Sequence, residues 1–104
     1  MRGVHADVIT IVPADTGLIT VDVIRGVVRQ AAYRPFEGRR RVVVIDDAEQ
    51  LVSAAQNALL KTLEEPPSAS IFLLITHRPH LLLPTVRSRC PQVRFGNLTT
   101  EAIA

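Results

Sequence analysis

Three short runs of apolar and β-branched residues divide the chain: Val8-Ile9-Thr10-Ile11-Val12, Val42-Val43-Val44-Ile45 and Ile71-Phe72-Leu73-Leu74-Ile75. None alternates with charged residues, which is the pattern of short buried strands in a parallel sheet. Pro13 stops the first run and Asp46-Asp47 stops the second. Between them the periodicity lengthens to that of a helix. Val21, Ile24, Val28 and Ala31 fall on one helical face, Thr20 can cap it, and Asp22 suits the positive end of the helix dipole. Pro35 disfavours helical geometry at Arg34, so this helix should end near Tyr33. A second helix, capped by Ser53 and turning Ala55, Leu59, Leu60 and Leu63 inward, meets a hard stop at Pro66-Pro67. A short helix starts at Pro84 and runs to about Arg89. Val93 to Phe95 reads as a fourth, weaker strand, and Thr99 and Thr100 can cap one more helix. Strands alternating with helices predict an α/β fold with a parallel sheet.

Composition narrows the class. At 104 residues the chain holds one small domain at most, and at 47 % hydrophobic it has enough apolar side chains for a core. The formal charge of +2 permits a polyanionic partner without demanding one. The apolar run Ile71 to Ile75 is far shorter than the roughly 20 residues that cross a bilayer, and the N-terminus lacks the pattern of a signal peptide. Cys90 is the single cysteine, which excludes an internal disulfide and any multi-cysteine metal site within these residues. A soluble protein of a reducing compartment is expected.

Ligands of parallel sheets gather at the carboxyl ends of the strands, which places Asp46, Asp47, Thr76 and His77 where chemistry is expected. Two adjacent carboxylates after a buried strand can hold Mg²⁺ near a phosphate, one through water and the other polarising an attacking water. The same pair can equally cap the segment that follows. Asn57 to Pro67 is an amphipathic helix with Lys61 and Glu65 spaced for an i,i+4 ion pair. Arg89, at the end of the proline-started helix, is either a cation favourably placed at a helix C-terminus or a guanidinium able to enter a neighbour's phosphate site. Cys90 reads as a small buried hydrophobe. Arg39-Arg40-Arg41 suits a solvated loop or the backbone of a nucleic acid, and His5 and His80 have no metal-ligand spacing.

The order Ile45-Asp46-Asp47-Ala48-Glu49-Gln50-Leu51, then Asn57 to Pro67, then Leu83-Pro84-Thr85-Val86-Arg87-Ser88-Arg89-Cys90, resembles the AAA+ subunits of the bacterial clamp loader. That complex belongs to DNA polymerase III holoenzyme and loads the sliding clamp on primed DNA. His5-Ala6-Asp7, Val21 to Arg25 and Arg34 to Gly38 are similar to the delta-prime branch rather than gamma/tau. The resemblance spans about residues 5 to 103. It implies a three-layer α/β/α sandwich, a truncated AAA+ core. Asp46 matches the Walker B magnesium-site aspartate, and Asp47 stands where an active ATPase carries a catalytic Glu. Thr76 and His77 lie at the sensor 1 segment, and Arg89 matches the arginine finger that acts in trans. The implied partners are gamma/tau and delta subunits, the sliding clamp and, through the complex, primed DNA, in the bacterial cytoplasm. No membrane contact is implied. ATP and Mg²⁺ are implied at the neighbouring subunit's site. A fragment of a gamma/tau-type ATPase is the alternative.

Two departures accompany the match: Asp47 is one methylene shorter than Glu, and His77 replaces a small polar residue. No G-x-x-x-x-G-K-[ST] occurs in these 104 residues, nor the family's four-cysteine zinc module, so neither nucleotide nor zinc module is expected here. The chain is accordingly expected to be an internal stretch of a larger protein. In the family's sheet the P-loop strand lies between the sensor 1 strand and the last strand. Without it, Ile71 to Ile75 would present an open apolar edge. Either Val93 to Phe95 moves into that place, or two chains self-associate there.

Overall fold

The computed structural model describes residues 6–32, 40–67, 70–95 and 99–103. Strand β1 (Ala6–Ile11) leads through a loop to helix α1 (Val21–Ala32), then to β2 (Arg40–Ile45). Helix α2 (Ser53–Glu64) connects β2 to β3 (Ser70–Thr76). A short helix α3 (Pro84–Ser88), strand β4 (Gln92–Phe95) and strand β5 (Thr99–Ile103) complete the chain. The sheet runs β1-β2-β3-β5-β4. Its first three strands are parallel, as the unbroken apolar runs predict.

The two crossovers step in the same direction across the sheet, and right-handed connections therefore put α1 and α2 on the same face. Burial follows. The rows Ile9–Val43–Phe72 and Ile11–Ile45–Leu74 face the helices, and Val43, Ile45, Phe72 and Leu74 are all fully buried. Ile24, Val27 and Ala31 of α1 and Ala55, Leu59 and Leu63 of α2 close the same core. The opposite rows, Val8–Val42–Ile71 and Thr10–Val44–Leu73, are half-buried or exposed, with Val8 at 62 %. The α/β class and the parallel pairing of β1, β2 and β3 are as expected. Strands β5 and β4 make the whole sheet mixed, and the third layer of the expected α/β/α sandwich is not seen among the described residues. Among the described residues, the helices α1 and α2 form one layer and the sheet a second.

Local differences have local causes. Val27 rather than Val28 points into the core, because Ile24, Val27 and Ala31 line the face toward α2 and Val28 sits at its margin. Helix α2 begins at Ser53 itself, with Val52 at the cap position and no side-chain cap. Arg41 is buried and donates to the Gln30 carbonyl at the end of α1, so it serves packing rather than a basic surface. Arg40 is exposed, while Tyr33 to Arg39 and His5 lie outside the described residues.

The largest correction concerns the far side of β3. Thr99 and Thr100 do not cap a helix: Thr99–Ile103 forms β5, antiparallel to β3, with Leu73 opposite Ile103 and Thr76 opposite Thr100. The place beside β3 therefore goes to β5, not to Val93–Phe95, which pairs with β5 one position further out. Pairing the β3 edge within the chain satisfies its backbone N–H and C=O groups, the requirement that an open apolar strand fails. Neither the expected move of Val93–Phe95 nor self-association through this edge is the arrangement found.

Candidate functional site

The carboxyl ends of β2 and β3 lie side by side, since Ile45 is in register with Leu74. Asp46 follows β2 directly. Its backbone N–H donates to the Ile11 carbonyl of β1 at 2.9 Å, which holds it in line with the sheet. Its Oδ1 accepts the Asp47 N–H at 2.9 Å, fixing the carboxylate against the turn. Asp47 takes left-handed backbone angles (φ 52°, ψ 50°), a conformation that Asp tolerates better than most residues. This reverses the chain into the tight 3-10 turn Ala48–Gln50. The turn is pinned from outside: Ile19 N–H donates to the Gln50 carbonyl at 3.0 Å, and Val52 N–H donates to the Ile19 carbonyl at 3.1 Å.

Thr76, at the end of β3, is 1 % exposed. Its hydroxyl donates to Glu49 Oε1 at 2.6 Å and accepts the Arg78 N–H at 2.9 Å. His77 follows, exposed, with Nδ1 3.7 Å from Glu49 Oε2. The structure thus brings Asp46, Asp47, Thr76 and His77 to one end of the sheet, as the strand-end rule predicts, and adds Glu49, whose role the sequence did not signal. As a test of fit for Mg²⁺, the turn N–H occupies Oδ1 of Asp46, and no hydrogen bond to its other oxygen occurs among the described residues. That geometry suits the ion-holding role and the turn-capping role alike.

Arg89 lies elsewhere. Helix α2 starts near the carboxyl end of β2 and runs back along the sheet for twelve residues, about 18 Å. Glu64, its last residue, is therefore at the opposite end from Asp46. Arg89 binds it there: Nη2 and Nε both donate to Glu64 Oε2, at 2.6 and 3.1 Å. Both side chains are about half exposed. The expected Lys61–Glu65 pair is not among the ion pairs of the described residues; Glu64 is the engaged acid. Gln56, buried on α2, sets the segment that carries Arg89. Its Nε2 donates to the Leu51 carbonyl at 3.2 Å, and its Oε1 accepts the Leu83 N–H at 2.6 Å. Leu83 immediately precedes α3, whose first residue is Pro84 as expected.

Cys90 packs into the core at 3 % exposure, and burial pushes its thiol pKa up. The folded chain therefore keeps the thiol proton to higher pH than the unfolded chain does. The associated stability is present at neutral pH and is lost as pH rises through the folded value. Labelling of the native protein with a disulfide reagent at pH 8 is expected to run at least about tenfold slower than that of a free cysteine peptide. Equal rates would contradict the buried position.

Comparison with known proteins identifies the family and supports the fold. Residues 1–99 match the family described as DNA polymerase III, delta subunit. The delta-prime subunit of Escherichia coli is 44 % identical over 89 residues, 85 % of this chain and 27 % of that protein. The tau subunit of Bacillus subtilis is 41 % identical over 102 residues, 98 % of this chain and 18 % of that protein. Among solved structures, a DNA polymerase III gamma subunit-related protein from Thermotoga maritima superposes with a TM-score of 0.73 at 41 % identity, covering 80 % of this chain and 28 % of that one. The chain thus spans less than a third of the length of these relatives. No helix among the described residues is long and apolar enough to cross a membrane. With a matched profile over nearly all its residues and relatives on both the delta-prime and the tau side, the chain belongs to the DNA polymerase III clamp-loader subunit family.

Proposed function

We propose that the chain acts as a delta-prime-type partner in a DNA polymerase III clamp loader, lending Arg89 to the ATP site of an adjacent gamma/tau subunit. The observation that carries this reading is the separation of Arg89 from Asp46 and Asp47 by the length of α2. An arginine at the far end of the sheet cannot serve its own chain's acids, but half exposed it can enter a neighbour's site. There a planar guanidinium neutralises charge that builds on the γ-phosphate oxygens as the bond to ADP breaks. Hydrolysis in the neighbour would then let the clamp close on primed DNA. Leaving Glu64 costs little, because exposed ion pairs contribute about 0–1 kcal/mol. Glu64 instead keeps the guanidinium extended and oriented until a phosphate competes for it.

The identity to a tau subunit over nearly the whole chain supports a second reading, in which Asp46 and Asp47 serve hydrolysis on their own subunit. Asp46→Asn separates the two. The amide still accepts the Asp47 N–H, so the turn survives, but the charge that would hold Mg²⁺ is gone. In a loader reconstituted with gamma/tau and delta partners, the arginine-donor reading expects clamp- and DNA-stimulated hydrolysis within about twofold of wild type. The ATPase reading expects a fall of about 10²–10³-fold at this subunit's site.

A further inference from the structure

Asp47 and Glu49 stand two residues apart in the turn after β2, and His77 is brought to them as the residue after β3. One ligand-type atom from each lies within 4.8 Å of the other two. Glu49 is the unusual member. Its side chain is 4 % exposed, and its Oε1 is taken by the Thr76 hydroxyl. Among the described residues no hydrogen bond is made to its Oε2, which faces His77 Nδ1 at 3.7 Å. That gap is too long for an N–H···O bond. It is close to the spacing of two donors on one small cation, about 3.4 Å for bonds of about 2.0–2.2 Å at a tetrahedral angle.

We propose that Asp47, Glu49 and His77 form a binding site for a single zinc-class divalent cation, with the fourth position open to water. An imidazole with two carboxylates suits Zn²⁺, Co²⁺ or Ni²⁺, whereas Mg²⁺ and Ca²⁺ prefer oxygen donors alone. The Thr76 hydroxyl supplies the outer hydrogen bond that orients a ligating carboxylate, leaving Oε2 for the ion. Exposure of His77, at 54 %, provides the way in and the freedom to close the remaining distance. The site uses neither Asp46 nor Arg89 and does not depend on a trans role for Arg89. It takes Asp47, however, and so competes with the reading in which that residue serves hydrolysis. A bound cation would tie the end of β3 to the turn after β2.

Cobalt(II) titration of the metal-free 104-residue chain, followed by visible absorption, tests this directly. The expected result is saturation at one equivalent with the intense d–d bands of low coordination number, reversal by Zn²⁺, and a higher thermal midpoint in Zn²⁺. His77→Ala, at an exposed position, is expected to weaken cobalt binding by at least about tenfold, and Glu49→Gln likewise. His80→Ala should leave it unchanged. Circular dichroism of the metal-free variants shows whether each is folded, and His77→Ala decides the matter if Glu49→Gln is not. No saturable binding, binding that survives His77→Ala, or Mg²⁺ competing as well as Zn²⁺ would each overturn the proposal.

Discussion

Phe72→Ala is expected to cost about 3–5 kcal/mol of stability, the range for emptying a fully buried aromatic site. Phe72 is 0 % exposed on β3, between Val43 on β2 and the helices that cover this face. A domain of this size has only about 5–15 kcal/mol in hand, so the loss is a large fraction of the total. In urea the midpoint should fall by roughly 2 M, taking a slope of about 2 kcal/mol/M for a small protein. Val8→Ala provides the contrast. Val8 lies in the opposite row of the same sheet at 62 % exposure, and its truncation is expected to change stability by no more than about 0.5 kcal/mol. Equal losses at the two positions would mean that the sheet is covered on both faces. The functional consequence is positional: Phe72 fixes the strand whose last residue, Thr76, holds Glu49.

The second large effect is catalytic. Under the arginine-donor reading, Arg89→Ala removes a group that contacts the neighbour's phosphate only as charge develops. A loss of about 10³-fold in stimulated kcat is expected, equivalent to about 4 kcal/mol. KM for ATP should change little, because ground-state nucleotide binding rests on the neighbour's own residues. Arg89→Lys should recover only a minor part, since an ammonium lacks the planar fork of donors. Glu64→Gln should leave hydrolysis near wild type, because the Glu64 contact is the resting partner of Arg89 and not part of the transition state. A large fall in Glu64→Gln would instead make the pair a structural clamp.

Particular residues show where the sequence is legible and where it is not. Strands β1 to β3 and helices α1 and α2 were readable because their signals are local: β-branched runs ended by Pro13 and Asp46, apolar spacing of three and four, and the stop at Pro66-Pro67. Strand β5 was not. Thr99-Thr100 followed by Glu101 and Ala102 carries the local signature of a helix start, and only the unpaired edge of β3, more than twenty residues away, selects the extended form. The site divides in the same way. Asp46, Asp47, Thr76 and His77 follow from the rule that strand ends carry chemistry. Glu49 and Glu64 do not, because each is defined by a partner 27 or 25 residues distant. Gln56 escaped for a related reason: a polar residue inside an apolar helical face looks like an interruption until the Leu83 N–H it satisfies is known.

Single-turnover ATP hydrolysis by a loader reconstituted from the protein with gamma/tau and delta subunits, clamp and primed DNA, compared between wild type and Arg89→Ala, bears most directly on the proposed trans role of Arg89. Assembly is followed in parallel by gel filtration. A fall of about 10³-fold at the adjoining gamma/tau site with the complex intact is the expected result. Unchanged hydrolysis in an intact complex would contradict it and leave Arg89 with only its contacts inside the chain, to Glu64 and Ser88.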